Sequence, residues 1–369
     1  MSSNRDVAFM RAALAFAARG LGNTAPMPSV AALVVDESRD PPRILARGRT
    51  AKGGRPHAEA RALDAAGAAA RGATLYVTLE PCAKRSQTYY GPSCTERVLE
   101  AGIARVVIGA PDPSPFAAGE GAARLRAAGV AVVEGVLAEE AGRLNRGHCQ
   151  RVRLGRPFVQ VKMAMSADGF AGTADRKPIA ITGELARAYT HRLRAGADAL
   201  VTGIGTVIAD DPLLDCRLPG MADHSPLRVI ADTRGRFDPA CRIARDAARV
   251  PVLVATAAPG DLTTRLAGLA GIEVMGVPES GGHLDLGALL AALGARGITR
   301  VLVEAGSDLA NAIAAAGLCD ELVLLTGPAN AGQGLAALGP ALAQWRRSAI
   351  CVESRLLDAD KLEIYRKES

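Results

Sequence analysis

The chain has 369 residues, of which 49% are apolar, and this predicts a globular protein with two or three domains and more than one hydrophobic core. The net charge is +6, but the basic residues are interspersed among 38 acidic ones and aromatic residues make up 3%, which argues against a nucleic-acid-binding surface and favours small anionic ligands such as phosphates. The chain has no long uncharged apolar run and no secretory leader pattern, and its seven cysteines are sparse, which predicts a cytoplasmic protein that does not enter a membrane.

The first 146 residues alternate between strand and helix patterns, which predicts a layered α/β domain over residues 1–150. The segment 151–157 is basic and contains glycine and proline, so it is predicted to be a linker. Strands are expected at 30–37, 43–49, 73–79, 104–110 and 130–136, and helices at 57–70, 94–102 and 119–129, with a further helical stretch ending at Asn145.

Residues 151–369 repeat the alternation and predict a second α/β domain. The last two strand patterns, 349–357 and 361–367, are expected to close the sheet as an antiparallel pair. Other strands are expected at 158–166, 199–204, 227–232, 250–256, 272–277, 300–306 and 321–327, with helices such as 184–194 and 285–296 between them.

One ordered set of residues in the first domain predicts a metal site. His57 and Glu59 lie two positions apart at a helix start, Cys82 follows a strand and a proline, and Cys94 opens the next helix. This order is typical of zinc-dependent nucleobase deaminases, in which one imidazole and two thiolates hold Zn²⁺ and a glutamate off the metal moves protons. A cysteine at a helix N-terminus is also expected to ionise more readily.

Each residue of this set taken alone could have a purely structural role. A single cysteine is usually a small buried hydrophobe, and His57 with Glu59 could form a solvated first helical turn. Eleven residues separate the two cysteines, where nucleobase deaminases usually have two, and a disulfide is the rival interpretation, although a reducing compartment disfavours it. We interpret the two thiols as zinc ligands and the segment between them as a substrate-binding insertion.

The whole chain resembles the bifunctional riboflavin-biosynthesis family of bacteria, which joins a pyrimidine deaminase to a ribosylaminopyrimidine reductase. The resemblance implies a cytidine-deaminase-like three-layer domain followed by a dihydrofolate-reductase-like domain. It also implies Zn²⁺ and NADPH as cofactors and a small phosphorylated pyrimidine as substrate. It is carried by the ordered segments HAEARAL, GATLYVTLEPC, AGIARVVIGAPDPSP, LNRGHCQRVRLGRPFVQVK, HRLRAGADALVTGIGTVIADDPLL, PLRVIADTRGR and VLVEAGSDLA.

The resemblance also implies roles for individual residues. In the deaminase, Glu59 is the acid/base and His57, Cys82 and Cys94 are the zinc ligands. In the reductase, the positions that match NADPH contacts are Met165, Ala180, Thr206, Asp210, Thr233, Gly306, Ser307, Asp308 and Leu309. The positions that match substrate contacts are Lys162, Pro178, Arg194, Leu214, Arg217 and Glu304, where two arginines suit a phosphate ester.

Without the family, the second-domain motifs leave alternatives open. The stretch GIGTV (203–207) lacks the third glycine of a dinucleotide fingerprint, so a packing turn and a phosphate cradle are equally good interpretations. The turn before Ser307 could bind phosphate on free backbone N–H groups or be a well-capped helix. The arginines could be surface ion pairs, and Asp210 and Glu304 could position or protonate ribosyl oxygens or act as structural caps.

Several residues depart from the family pattern. Met27 stands where the family has an asparagine that reads the pyrimidine, and a thioether cannot donate and accept as an amide does. In the second domain, Ala180 replaces a tryptophan and Ala305 replaces a glycine. In place of a His-His-Gly-Arg-Thr run, the inter-cysteine loop offers Lys84, Arg85, Gln87 and Thr88. The deaminase pocket is therefore expected to bind its substrate through altered contacts, to take another aminopyrimidine, or to be slow.

Two other classes of function compete with this interpretation. A tRNA or free-base deaminase fused to a nucleotide-binding domain would need a basic groove with stacking aromatics, and only Tyr89 and Tyr90 lie near the site. A non-catalytic zinc module would have no use for Glu59. We expect no nucleic-acid or membrane partner, and a homo-oligomer is compatible with the sequence.

Overall fold

The structure, a computed structural model, describes residues 3–85, 91–172 and 181–367. The chain divides into two compact units, Met1–Arg156 and Pro157–Ser369. None of the helices in these described ranges combines the length and the hydrophobicity that crossing a bilayer requires.

The first unit alternates helices and strands as the sequence predicts, but it opens with a helix that the patterns did not identify. This helix, α1, begins with a capping box in which Ser3 and Asp6 exchange side-chain and backbone hydrogen bonds. The elements are α1 (Asn4–Ala18), β1 (Ala31–Asp36), β2 (Arg43–Arg49), α2 (Ala58–Ala66), β3 (Thr74–Leu79), α3 (Cys94–Glu100), β4 (Arg105–Ala110), α4 (Glu120–Ala127), β5 (Ala131–Val133), α5 (Ala138–Leu144) and α6 (Arg146–Leu154).

The strands of the first unit form a sheet in the order β2-β1-β3-β4-β5. Strands β3, β4 and β5 run parallel, and β1 is antiparallel to both β2 and β3. One face packs against α2, α3 and α4, and the other against α1. The unit is therefore a three-layer α/β structure in which the loops after β3 and β4 meet at one edge of the sheet.

Residues 151–154, expected to belong to a linker, are helical in the structure as the end of α6, which stops at Gly155 in a left-handed conformation (φ 69). The boundary between the two units, Arg156 to Pro157, nevertheless lies within the predicted segment, and the glycine ends the helix just before it.

The second unit contains the remaining elements. They are β6 (Phe158–Met165), β7 (Phe170–Gly172), α7 (Glu184–Ala195), β8 (Ala199–Gly203), α8 (Ile204–Asp210), β9 (Leu227–Ala231), α9 (Arg242–Arg245), β10 (Val252–Thr256), α10 (Pro259–Leu266), β11 (Ile272–Gly276), β12 (Glu279–Ser280), β13 (His283–Leu284), α11 (Leu286–Ala295), β14 (Arg300–Glu304), α12 (Ser307–Ala315), β15 (Glu321–Thr326), β16 (Leu335–Ala336), α13 (Pro340–Arg347), β17 (Ile350–Leu357) and β18 (Asp360–Arg366).

The main sheet of this unit has the order β11-β10-β9-β8-β14-β6-β15-β18-β17. Its strands are parallel up to β15, and the predicted antiparallel pair β17 and β18 closes it. The late strand β14 lies between β8 and β6, and the helices that follow β8 and β14 pack on opposite faces of the sheet. Chain connections that diverge in this way open a crevice at the carboxyl ends of the strands, which is where ligands bind in open α/β sheets.

Candidate active sites

The three predicted metal ligands of the first unit come together at one edge of its sheet. Cys82 follows the carboxyl end of β3, His57 is the residue that caps the start of α2, and Cys94 is the first residue of α3. Their ligand atoms all lie within 4.8 Å of one another. The tertiary structure thus brings together three residues that span 37 positions of the sequence, from His57 to Cys94.

The geometry of this cluster suits a metal ion better than a disulfide. His57 Nδ1 lies 3.3 Å from Cys94 Sγ and 3.9 Å from Cys82 Sγ, and both cysteines are free thiols. One imidazole nitrogen and two sulfurs form the donor set of a catalytic zinc site, which keeps its fourth position open. The residues therefore fit zinc, and the disulfide alternative is wrong for this structure.

A hydrogen bond couples the two thiols and makes their acidities different. A hydrogen bond from Cys94 lowers the pKa of the Cys82 thiol to about 4, against the opposing effect of burial. The hydrogen bond to Cys82 and the burial of Cys94 hold the pKa of the Cys94 thiol well above its usual value. The hydrogen bond between the thiols dominates both pKa values, and the readier ionisation expected of Cys94 at the helix start stays a prediction.

Glu59 lies in the first turn of α2 and is only 3% exposed. Burial raises the pKa of its carboxyl to about 7; the neighbouring His57 opposes this shift and Cys82 adds to it. Within the described residues the metal cluster takes its ligands from His57, Cys82 and Cys94, and Glu59 is not among them. A carboxyl group with such a pKa can both accept and release a proton near neutral pH.

A cavity opens onto this cluster and is lined by four basic side chains, Arg55, Lys84, Arg85 and Arg97. Arg85 forms a forked ion pair with Glu96, and Lys84 lies 2.8 Å from Glu120. Carboxylates thus hold Arg85 and Lys84 in place beside the metal ligands, and basic side chains are the usual binding groups for a phosphorylated substrate.

Glu80 anchors the loop that borders the site, a role that the sequence did not reveal. The carboxylate is 4% exposed and accepts the backbone N–H groups of Gly119 at 3.0 Å, Gly121 at 3.0 Å and Ala122 at 3.2 Å. It therefore caps the start of α4 from two positions before Cys82. The segment after β4 also reaches back, because the Phe116 carbonyl accepts the N–H of Ala83 at 2.8 Å.

Met27, where the family has asparagine, packs against the loop that leads to His57. A Cβ placed on Gly54 would come within 2.5 Å of the Met27 side chain, and Gly54 adopts φ +92. Only glycine suits this conformation and this close approach. Met27 thus packs against Gly54, three positions before His57, and its apolar side chain offers no amide hydrogen bond.

In the second unit, the predicted ligand-contacting residues share the carboxyl edge of the main sheet. Met165 ends β6, and Glu304 ends β14. Thr206 and Asp210 belong to α8, which follows β8 directly, and Thr233 follows β9. Gly306 caps α12, whose first turn contains Ser307, Asp308 and Leu309. This placement agrees with a crevice between β8 and β14, and the individual cofactor and substrate contacts stay predictions.

Lys162, Arg194 and Glu304 form a charged cluster at the carboxyl end of β14, in which Arg194 is buried and the other two residues are partly buried. Lys162 pairs in register with Glu304 on adjacent parallel strands, and the Arg194 guanidinium binds the Glu304 carboxylate through Nε at 2.8 Å and Nη2 at 2.6 Å. Burial tends to raise the pKa of Glu304, but Arg194 and Lys162 outweigh it and lower this pKa. Burial lowers the pKa of Lys162, which Glu304 partly offsets. Glu304 is therefore an ionised carboxylate at neutral pH.

The guanidinium of Arg194 is already occupied by the protein. Its Nη1 donates to the Asp215 carbonyl at 2.9 Å, so three of its nitrogens have partners before any substrate binds. Direct binding of a phosphate by Arg194 stays a prediction. In the structure Arg194 links Glu304 to the loop after α8.

The two phosphate-cradle candidates differ in the structure. The stretch 203–207 leads into α8, and both Ile204 and Val207 are buried in a core cluster. This burial favours the interpretation of the stretch as a packing turn. At 306–309 the helix cap is Gly306, which has no side chain to occupy the first N–H groups of α12. Gly203 caps α8 in the same way, so the cap does not separate the two stretches, and anion binding at 306–309 stays a prediction.

Some predicted residues lie outside the described ranges. These are the substrate position Pro178, the cofactor position Ala180, and the loop residues Gln87, Thr88, Tyr89 and Tyr90.

His191 contacts the predicted substrate segment and was not singled out from the sequence. Its Nδ1 lies 3.2 Å from the backbone nitrogen of Arg217. The one signal in the sequence was its spacing: His191 precedes Arg194 by three positions on the same helix, so the two side chains share a face.

Comparison with known proteins covers both units. Residues 3–110 match the family described as the cytidine and deoxycytidylate deaminase zinc-binding region, and residues 157–355 match the RibD C-terminal domain. The riboflavin biosynthesis protein RibD of Escherichia coli K12 is 36% identical over 335 residues, which cover 88% of each chain.

Solved structures extend the likeness to the whole fold. Acinetobacter baumannii RibD superposes with a TM-score of 0.85 at 34% identity and covers 99% of both chains. A Thermotoga maritima protein described as a diaminohydroxyphosphoribosylaminopyrimidine deaminase and 5-amino-6-(5-phosphoribosylamino)uracil reductase superposes with a TM-score of 0.83 at 30% identity, covering 98% of this chain and 99% of the other. The predicted fold class, a deaminase domain followed by a reductase domain, is confirmed.

Proposed function

The chain belongs to the RibD family of riboflavin-biosynthesis proteins, and from this premise we propose that its first unit deaminates a diaminohydroxyphosphoribosylaminopyrimidine and that its second unit reduces the deaminated product. It is a bifunctional deaminase and reductase with zinc and NADPH as cofactors. The competing interpretations, a tRNA or free-base deaminase and a non-catalytic zinc module, do not account for the match of residues 157–355 to the RibD C-terminal domain.

In the deaminase, His57, Cys82 and Cys94 would hold the zinc ion. The ion acts as a Lewis acid that makes water nucleophilic near neutral pH. Glu59 takes a proton from the attacking water, delivers it to the pyrimidine ring and then helps ammonia to leave. Its buried carboxyl group, with a pKa of about 7, is suited to both steps.

In the reductase, bound NADPH would provide the hydride that reduces the ribosyl carbon next to the amino nitrogen. Lys162, whose pKa is lowered by burial, donates the proton that the ring oxygen needs when the ribosyl ring opens. Glu304 stays ionised and accepts hydrogen bonds from ribosyl hydroxyl groups, so we assign it to positioning rather than to proton donation. Arg217 binds the phosphate, which its 59% exposed side chain can reach.

Three finer assignments complete the proposal. The first unit, Met1–Arg156, carries the deaminase expected over 1–150, and the second, Pro157–Ser369, carries the reductase expected over 151–369. The enzyme works in the cytoplasm, where a reducing medium keeps its cysteines free. It forms a homo-oligomer, which the exposed Ile350, Val352 and Leu356 on the strand β17 at the edge of the sheet support.

The observation that carries the proposal is the cluster of His57, Cys82 and Cys94 beside the buried Glu59. The test is to incubate the purified chain with the diaminopyrimidine substrate and to follow ammonia release and NADPH oxidation separately. We expect ammonia without NADPH, and both ammonia and NADP⁺ once NADPH is added. NADPH oxidation that does not depend on prior deamination, or no ammonia at all, would contradict the proposed order.

A further inference from the structure

The loop between α8 and β9 is held in a strained conformation where it carries the predicted substrate contacts. Asp211 adopts φ 39 and Leu214 adopts φ 53, both in the left-handed region. A buried leucine rarely adopts this conformation, which persists only where the surroundings impose it. The loop therefore has one conformation that its neighbours determine.

Side chains from several elements fix the backbone of this loop. Arg228, fully buried in β9, donates to the Leu213 carbonyl at 2.8 Å. Arg194 donates to the Asp215 carbonyl at 2.9 Å, and Ser225 Oγ accepts the Cys216 N–H at 3.0 Å. Each contact restrains a backbone group within four positions of Arg217.

His191 provides the contact at Arg217 itself. Its Nδ1 lies 3.2 Å from the Arg217 nitrogen and 3.2 Å from the Asp215 carbonyl oxygen. The Asp215 carbonyl already receives a hydrogen from Arg194, whereas the Arg217 N–H has Nδ1 as its acceptor. The neutral imidazole therefore accepts at Nδ1 and carries its proton on Nε2.

This contact matters because the side chain of Arg217 is otherwise loosely held. The guanidinium is 59% exposed and its Nε lies 3.5 Å from Asp215 Oδ1. A side chain that is not fixed by its own contacts takes its direction from its backbone. His191 and Arg194 lie on one face of α7, so the same helix orients both the Arg217 backbone and the Glu304 carboxylate.

We propose that His191 is a positioning residue of the reductase, whose imidazole Nδ1 accepts the Arg217 N–H and so sets the direction in which the Arg217 guanidinium meets the substrate phosphate. The inference rests on the proposed function, in which Arg217 binds that phosphate. It assigns His191 no contact with the substrate.

The test compares three substitutions in the full chain, assayed with the deaminated substrate and NADPH. His191→Leu removes the acceptor, His191→Asn places an amide oxygen near the position of Nδ1, and His191→Gln places it near Nε2. We expect His191→Leu and His191→Gln to raise the KM for substrate roughly three- to tenfold, the equivalent of one lost hydrogen bond. The KM for NADPH should stay within about twofold, and His191→Asn should restore most of the substrate KM.

Two results would overturn the proposal: a substrate KM that none of the substitutions changes, or an NADPH KM that rises as much as the substrate KM. Thermal unfolding of each variant identifies loss of fold. Should His191→Leu fail to fold, the Asn and Gln variants decide, because equal substrate KM values for these two contradict a role that depends on Nδ1.

A double-mutant cycle separates this inference from the proposed function. Arg217→Ala should itself raise the substrate KM, and adding His191→Leu to it should change the KM little further, because the histidine acts through that arginine. If Arg217→Ala has no effect, the assignment of Arg217 to the phosphate fails. If it acts but the two effects are independent, the arginine assignment stands and the role of His191 fails.

Discussion

Glu59 shows how the environment of a single residue determines its chemistry. In sequence it is one acidic residue in a first helical turn, a place where carboxylates are common because they favour the helix dipole. In the folded chain it is buried beside a histidine and two thiols, and burial raises its pKa to about 7. Burial would be unfavourable for a structural carboxylate, but here it gives Glu59 a pKa that suits the acid/base role proposed for it.

Glu59→Gln is expected to keep the fold and the bound zinc but to reduce ammonia release by about 10²- to 10⁴-fold, because the amide preserves the shape and cannot transfer a proton. Metal content and ammonia release are measured on the same preparation. Glu100→Gln, an exposed substitution on α3, is the control and should retain full activity. A Glu59→Gln enzyme with near wild-type turnover would remove Glu59 from the catalytic role.

At the scale of elements, buried carboxylates fasten helices to the sheet of the first unit. Glu80 caps α4, and Asp6 fastens α1. Asp6 is 1% exposed, receives two hydrogen bonds from Arg105 at 2.8 Å and 2.9 Å, and also accepts the hydroxyl of Tyr76. In both cases one carboxylate satisfies several donors that would otherwise be buried without partners.

Glu80→Ala is expected to lower the free energy of unfolding by about 2–3 kcal/mol, because it leaves the N–H groups of Gly119, Gly121 and Ala122 without their acceptor. Chemical denaturation measures the change. Glu120→Ala is the matched control at the start of the same helix, since its ion pair with Lys84 is half exposed, and it should change stability by less than about 1 kcal/mol. Equal effects for the two substitutions would contradict the capping role.

Asp6→Asn is expected to destabilise the first unit by about 2 kcal/mol at neutral pH, and progressively less as the medium becomes acidic. Burial of Asp6 raises its pKa, but the hydrogen bonds from Arg105, Ser3 and Tyr76 outweigh this and hold the pKa well below its usual value. Because the folded-state pKa is depressed, the stabilisation is complete above the unfolded-state pKa of about 4 and is lost as the pH falls through the folded-state value.

Hydrogen exchange of the α1 and β3 amides, measured at neutral and at acidic pH, tests this dependence. Asp40→Asn is the control. The Asp40 carboxylate is 95% exposed and lies 4.0 Å from Arg5, so its substitution should have little effect at either pH. A difference between wild type and Asp6→Asn that does not depend on pH would contradict the ionised role of Asp6.

At the scale of the whole molecule, the metal cluster and the charged cluster of the predicted reductase belong to different units, each with its own sheet. The metal cluster lies within Met1–Arg156, and the Lys162, Arg194 and Glu304 cluster within Pro157–Ser369. Each unit has its own buried core, so the chemistry of one does not depend on the metal of the other.

Removal of zinc from the full chain by a chelator is therefore expected to lower ammonia release at least about 10²-fold. It should leave the oxidation of NADPH by already deaminated substrate within about twofold of the untreated rate, because no proposed reductase residue belongs to the metal cluster. Re-addition of zinc should restore ammonia release. Parallel loss of both activities would show that the reductase depends on the metal.

The sequence by itself determined most of the elements and the family, and it predicted the three metal ligands that the fold brings together. Strand and helix periodicities depend on neighbouring residues, and the order of His57, Glu59, Cys82 and Cys94 strongly favours a zinc deaminase once it stands on alternating strands and helices. The placement of the predicted reductase residues came from the resemblance rather than from their chemistry.

The tertiary structure decided what these side chains contact. Glu80 meets Gly121 across 41 positions, and Arg194 meets Glu304 across 110, so neither pairing leaves a local pattern. The higher pKa of Cys94 and the acceptor role of His191 likewise depend on partners brought close by folding. Local periodicity specifies which face of an element is buried, whereas hydrogen bonds and pKa values depend on distances of a few ångströms between segments that only the folded chain brings together.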